Sequence, residues 1–308
     1  MLIALADTVS FSWDVFADIQ MLLHYHFMQN AYLAATLVAL VAGVIGYFMV
    51  LRDQSFAGHS LANVGFAGAT GAALFGITPV VGLFLAGLLA AVGIQSLNLA
   101  ARQNRQSDIA VGAVFTASLA LGFLFIHLST QEYAANVYNV LFGNVLGISD
   151  ADVRVIVWST LLLMAVLLFI ARPLLFASID PDVAAAHGVP VRVLSFGYLV
   201  LLALEVAVAV QVVGVLLIFA LLVTPAAIAQ YVTTRPAVSV LLAVALALLF
   251  TWVGLAVGYV TPYPVGFFIT TFAFATYVLV RGGQFVWERT INRGGTIHRA
   301  RTAMGGSV

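Results

Sequence analysis

Nine apolar runs, each close to the length of a bilayer crossing, leave this chain little choice of fold. A membrane-spanning helix needs about 20 apolar residues. Such runs fall at 30–50, 57–76, 79–101, 108–128, 151–171, 193–211, 213–232, 236–260 and 264–281. In lipid the backbone of each run must satisfy its own hydrogen bonds, which makes these runs helices rather than open strands. The expected fold is all-α, a polytopic transmembrane helix bundle of about nine spans. Composition agrees, with 63% hydrophobic and 8% charged residues over 308 positions, against about 25% charged in a soluble domain. The run around Trp158-Ser-Thr-Leu-Leu-Leu-Met164 is unambiguous; 193–232 is harder to divide, because only Gly214 interrupts it. Arg192 and Arg235 bracket that segment, and two short spans bring both arginines to one side where a single helix cannot.

Arginine placement orients the nine spans. The chain has no lysine, and eleven of its 12 basic residues, all but Arg154, fall on one side under this reading. That positive-inside bias puts the N-terminus outside and the C-terminus in the cytoplasm of a bacterial cell membrane. Residues 1–28 form an outer-face segment with Asp7, Asp14 and Asp18 and no basic residue, and 11–27 reads as an interfacial helix. Residues 29–281 form the transmembrane domain. The polar tail 282–308, with Arg289, Arg293, Arg299 and Arg301 among glycines, reads as disordered and close to anionic lipid. The outer connection 129–150 is too short and polar to span and is expected as a half-buried or re-entrant helix.

The missing residue types exclude chemistry. Without cysteine there is no disulfide or thiolate site. Without lysine there is neither a phosphate-gripping G-x-x-x-x-G-K-[ST] loop nor a Schiff base. No motif assembles a nucleophile, a base and an orienting group, so an enzyme is not expected. If ATP drives this chain, the ATPase is another polypeptide.

One polar stretch separates two apolar runs: Asp180-Pro-Asp-Val-Ala-Ala-Ala-His-Gly-Val189. Asp180 and Asp182 suit the start of a short helix, Ala184, Ala185 and Ala186 propagate it, and Gly188 stops it. A short capped helix on a cytoplasmic loop is a docking element for a separate motor protein.

Within the spans, polar residues are few. The second run is rich in small residues, which let neighbouring helices approach closely. In it His59 and Asn63 stand at i and i+4, on one face and about 6 Å apart along the axis. Two readings fit the pair: an imidazole nitrogen and an amide oxygen passing a divalent cation along, or polar groups hydrogen-bonding across helices. Glu205 is the one acidic residue deep inside a span. A carboxylate there costs about 2.5–3.5 kcal/mol on insertion scales, so it either serves a cavity or acts as a protonated structural donor. Asp108 suits a helix cap, His127 lies at the outer end of its span, and His24 and His26 diverge on a helix. Pro225 removes a helical hydrogen bond and frees the Leu221 carbonyl, marking either a gate or a structural kink.

Several of these segments, in order, carry a resemblance: Phe27-Met-Gln-Asn-Ala-Tyr-Leu33, Leu51-Arg-x-x-Ser-Phe-x-Gly58, Asp108-Ile-Ala-Val-Gly112, Leu141-Phe-Gly-Asn-Val-Leu-Gly147, the 180–189 loop, Val213-Gly-Val-Leu-Leu-Ile-Phe-Ala-Leu-Leu-Val-Thr-Pro-Ala-Ala227 and Pro264-Val-Gly266. From about residue 27 to 281 the chain resembles the zinc/manganese/iron permease family of ATP-binding-cassette importers. The resemblance implies the fold of the cobalamin and siderophore importers and a homodimer with its pore on the two-fold axis. It also implies an ATPase subunit receiving the 180–189 loop and an extracytoplasmic metal-binding protein delivering the ion. Many family members carry Gly-Asp-x-x-x-His in the second span as the metal relay. Here Gly58 is kept, but His59 takes the Asp position and Asn63 the His position. Losing the fixed negative charge favours zinc over manganese on ligand softness, with Glu205 as a candidate to return the charge.

The resulting expectation is a permease subunit moving a divalent metal ion (zinc first, manganese or iron next), with no cofactor bound in the chain and no nucleic-acid partner. Two alternatives stand beside it: a same-fold permease for a metal chelate or organic ligand, and an ion-coupled secondary transporter with Glu205 as its proton site. No inverted repeat with paired broken helices supports the last.

Overall fold

The computed structural model describes residues 25–100, 107–128 and 140–304. The expected interfacial helix at 11–27 and the first part of the outer connection therefore lie almost wholly outside the described residues. Among the described residues the structure is helical, without strands. In chain order the helices are α1 (His26–Leu51), α2 (Ser55–Leu74), α3 (Pro79–Ala100), α4 (Ser107–Leu128), α5 (Asp150–Ile179), α6 (Pro181–Ala186), α7 (Val191–Val213), α8 (Val215–Val232), α9 (Pro236–Val260) and α10 (Val265–Met304). A 3-10 turn at Val145–Gly147 precedes α5. All but α6 occupy the nine expected spans.

Local chemistry fixes several boundaries. Prolines open α3, α6 and α9, where the missing N–H costs nothing. Ser149 and Asp152 form a reciprocal capping box at the start of α5. Among the described residues, seven helices are long and apolar enough to cross a membrane. Helix α2 falls short in apolarity because glycines, His59 and Asn63 dilute it, and α8 is strongly apolar but short, at 18 residues.

Side-chain contacts give the direction of each helix. Arg52, at the end of α1, bonds Ser178 near the end of α5 and Ser195 near the start of α7. Gln230, near the end of α8, donates to the Tyr47 carbonyl. At the opposite end, Asn30 of α1 donates to Asp150 at the start of α5. Helices α1, α5 and α8 therefore run together, and α7 runs against them. Trp252 of α9 donates to Thr36 of α1, and Gly43 packs on Val244, so α9 also opposes α1. Helix α10 packs Ile269 on Gly254 and returns Gln284 to the Tyr231 carbonyl. Arg52, Arg192, Arg235 and Arg281 thus share one end of the bundle, while Arg154 stands near the other.

The reversal between α7 and α8 happens at a single residue. Gly214 has φ +83°, a left-handed conformation that favours glycine. Across from it Gly143, at φ +78°, lies against the backbone of Val212–Gly214 so tightly that a Cβ on either glycine would strike the other segment. Of the outer connection, the described residues 140–142 are helical and Val145–Gly147 form the 3-10 turn, with Val145 and Ile148 buried in the main core; 129–139, where most of the expected half-buried or re-entrant helix falls, lie outside the described residues. Helix α10 continues into the polar tail as far as Met304. Extending an existing helix avoids the nucleation penalty that a free polar segment would meet.

Candidate functional site

On α2 almost every residue from Ala57 to Ala67 is buried; His59 and Asn63 are the exceptions, half-open on one stripe with exposed Phe56 preceding them. Glycines make this possible. Gly68 of α2 and Gly82 of α3 pack backbone to backbone, and Gly122 of α4 leaves room for the Phe66 ring. Close packing on both flanks turns the one polar stripe toward the remaining open side.

The pair is in contact. Asn63 Nδ2 donates to the His59 backbone carbonyl at 2.9 Å and lies 3.5 Å from His59 Nε2. The bond stays within one helix. Two rings from other helices flank the imidazole: Phe115 of α4, with centroids 5.6 Å apart, and Phe219 of α8, edge-on at 5.1 Å. His59 Nδ1 is buried without a hydrogen-bond partner. An unpartnered imidazole nitrogen beside an amide suits a neutral, soft-to-borderline donor set for a divalent cation, and the aromatic walls exclude water from one side. Phe115 and Phe219 escape sequence reading because their apolar runs carry no spacing that ties them to His59.

Glu205 lies fully buried in α7, and neither carboxyl oxygen has a hydrogen-bond partner. It does not complete a larger acidic cage: among the described residues no three His, Cys, Asp or Glu side chains gather as a metal-binding cluster. Pro225 sits inside α8, which continues through it without a break. It follows Phe219 by six positions, on the helix that brings that ring to His59.

The polar decapeptide forms the expected short helix. Asp180 Oδ1 accepts from the Val183 N–H at 3.0 Å, Pro181 occupies the first position and Asp182 lies in the first turn. At the far end Gly188 adopts φ +81°, with Gly188 N–H bonding Ala185 and Val189 N–H bonding Ala184, the paired bonds of a Schellman stop. Ala184 is buried against Ala177 and Leu194 and anchors the helix. Asp182, Val183, Ala185, Ala186 and His187 remain exposed at the arginine-rich end.

Comparison with known proteins covers nine of the helices and the first part of α10. The family model described as ABC 3 transport family matches residues 24–282. The manganese transport system membrane protein MntC of Halalkalibacterium halodurans is 34% identical over 222 residues, 72% of this chain and 75% of that protein. A probable iron transport system membrane protein of Haemophilus influenzae is 31% identical over 204 residues, covering 66% of this chain and 73% of that protein. Among solved structures, PsaBC from Streptococcus pneumoniae in complex with Fab superposes with a TM-score of 0.76 at 29% identity, covering 86% of this chain and 95% of that chain.

Proposed function

The chain belongs to the ABC 3 transport family, and we propose that it is the permease subunit through which a separate ATPase drives a divalent transition-metal ion into a bacterial cell. Metal import and a multi-pass membrane location come with the family. The drive rests on one observation: a capped, six-residue helix, anchored by Ala184 and otherwise exposed, stands at the arginine-rich end of the bundle. By the positive-inside rule that end is cytoplasmic, which leaves the C-terminus inside and the N-terminus outside. A chain without lysine has no phosphate loop of its own, so the energy arrives through α6 from a partner. A second copy of the chain supplies the other wall of the pore, and an extracytoplasmic metal-binding protein delivers the ion to the outer face.

The half-open stripe of α2 is the ion path, with His59 as an inner-sphere ligand and Asn63 as a weaker one. Manganese is the first cargo, by the names of its relatives. Zinc is the second reading, favoured by the neutral nitrogen of His59 at a position where an anionic oxygen would suit manganese better. In cells lacking this permease, metal content and growth with each metal in turn decide between them. Selective loss of manganese supports the first reading and selective loss of zinc the second. Unchanged content of every divalent metal contradicts the function itself.

A further inference from the structure

One half-buried charge, Arg52, ties the end of α1 to the end of α5 and the start of α7. It sits in the short turn between α1 and α2. Its Nη1 donates to Ser178 Oγ at 3.0 Å and its Nη2 to Ser195 Oγ at 2.6 Å, while its guanidinium carbon lies 5.6 Å from the centre of the Tyr198 ring. Tyr198 is itself buried and donates to the Ile45 carbonyl at 2.8 Å, and Ser178 donates onward to the Leu174 carbonyl at 2.6 Å. Arg52 is in no ion pair with a carboxylate among the described residues, and its Nε is buried without a partner.

As a staple this is an expensive arrangement, because an apolar trio would hold three helix ends without desolvating a cation. What a guanidinium adds is a rigid fork that fixes two acceptors at a set separation. The two acceptors flank the exposed helix: Ser178 stands two residues before its cap Asp180, and Ser195 lies in the first turns of α7, just beyond its stop at Gly188. A single side chain therefore closes the base of the loop that carries α6. The same residue is three positions ahead of Ser55, where α2 begins, and seven ahead of His59. Displacing α6 pulls on Ser178 and Ser195, and the fork carries that displacement to the turn from which α2 starts.

We propose that Arg52 is the joint that transmits movement of α6 to α2, a positioning residue that acts through two serines without touching the ion. The proposal rests on the reading of α6 as the ATPase contact. Its test uses the permease–ATPase complex in lipid vesicles, with ATP hydrolysis and uptake of radiolabelled manganese measured on the same preparation. The paired change Ser178→Ala with Ser195→Ala removes both acceptors and leaves the cation in place. It should keep the complex and its hydrolysis while ions moved per ATP fall about tenfold, the size expected for losing hydrogen bonds to a charged group. Arg52→Lys, which cannot fork, should give a similar fall, and adding it to the serine pair should cost little more, because all three belong to one unit. An unchanged ratio of ions to ATP in the serine variant overturns the proposal. So does a proportional loss of hydrolysis and uptake with loss of the complex, which is the behaviour of a staple. If the unaltered complex shows no ATP-dependent uptake at all, the reading of α6 fails first and the proposal with it.

Discussion

At the residue scale the account turns on His59, which combines a half-open position, an unpartnered Nδ1 and aromatic neighbours from two other helices. His59→Ala should reduce metal uptake at least tenfold with the fold intact, because nearby dipoles do not replace a lost inner-sphere ligand. Asn63→Ala should cost less, since its amide nitrogen already serves the His59 carbonyl and an amide is the poorer ligand. Uptake at matched expression checks both, and normal uptake by the double variant removes the relay. His59→Asp should shift preference toward manganese, as a hard anionic oxygen replaces a softer nitrogen. Glu205 gives a separate prediction. Its two unpartnered oxygens lie in a fully buried position, so Glu205→Gln should leave thermal stability nearly unchanged. If uptake nevertheless falls, the carboxyl balances the charge of a passing cation; if uptake holds, its role is structural. The spacing of His59 and Asn63 was legible in the sequence because i and i+4 always share a face. Their aromatic surroundings were not, since contacts between distant helices leave no periodic trace.

At the scale of elements, two glycine positions carry most of the geometry. Gly188 at φ +81° ends α6, and nothing lies within 4 Å of where its Cβ would be. Gly188→Ala therefore meets only backbone strain, of order 1 kcal/mol, and should lower transport without dissociating the partner. A bulky residue at exposed Ala185 should instead weaken ATPase binding, which a pull-down of the complex measures directly. Gly214 is less forgiving, because any side chain there strikes Leu141–Gly143 as well as adopting a left-handed backbone. Gly214→Val should destabilise the protein by at least about 2 kcal/mol, seen as a fall in the unfolding temperature in detergent. Both glycines stood out in the sequence, one closing a polar helix and one alone in a long apolar run. The partner of Gly214 did not, because the contact with Gly143 joins segments about seventy residues apart and has no local signature. The helical continuation of α10 beyond residue 282 was likewise hidden, since glycine- and arginine-rich composition describes a free segment better than one grown from an existing helix.

For the whole molecule, the all-helical architecture and the order of the apolar helices followed from hydropathy, because lipid obliges the backbone to satisfy its hydrogen bonds in helices or closed barrels; seven of the described helices are long and apolar enough to span. The arginines then gather at one end of the bundle, so cysteines placed at Ser178 and Gly283 should label only after the membrane is opened, and one at Ala134 from outside. The native chain has no cysteine to blur that result. What the sequence leaves to experiment is the passage itself: an ion path on α2, a motor contact on α6, and energy supplied by another chain. The most direct test is metal uptake into lipid vesicles containing this permease, with and without its ATPase and ATP. The expected result is no active accumulation and no ATP hydrolysis by the permease alone, and accumulation of a divalent metal only when both ATPase and ATP are present. Hydrolysis by the purified chain itself, or concentrative uptake without the ATPase, would contradict it.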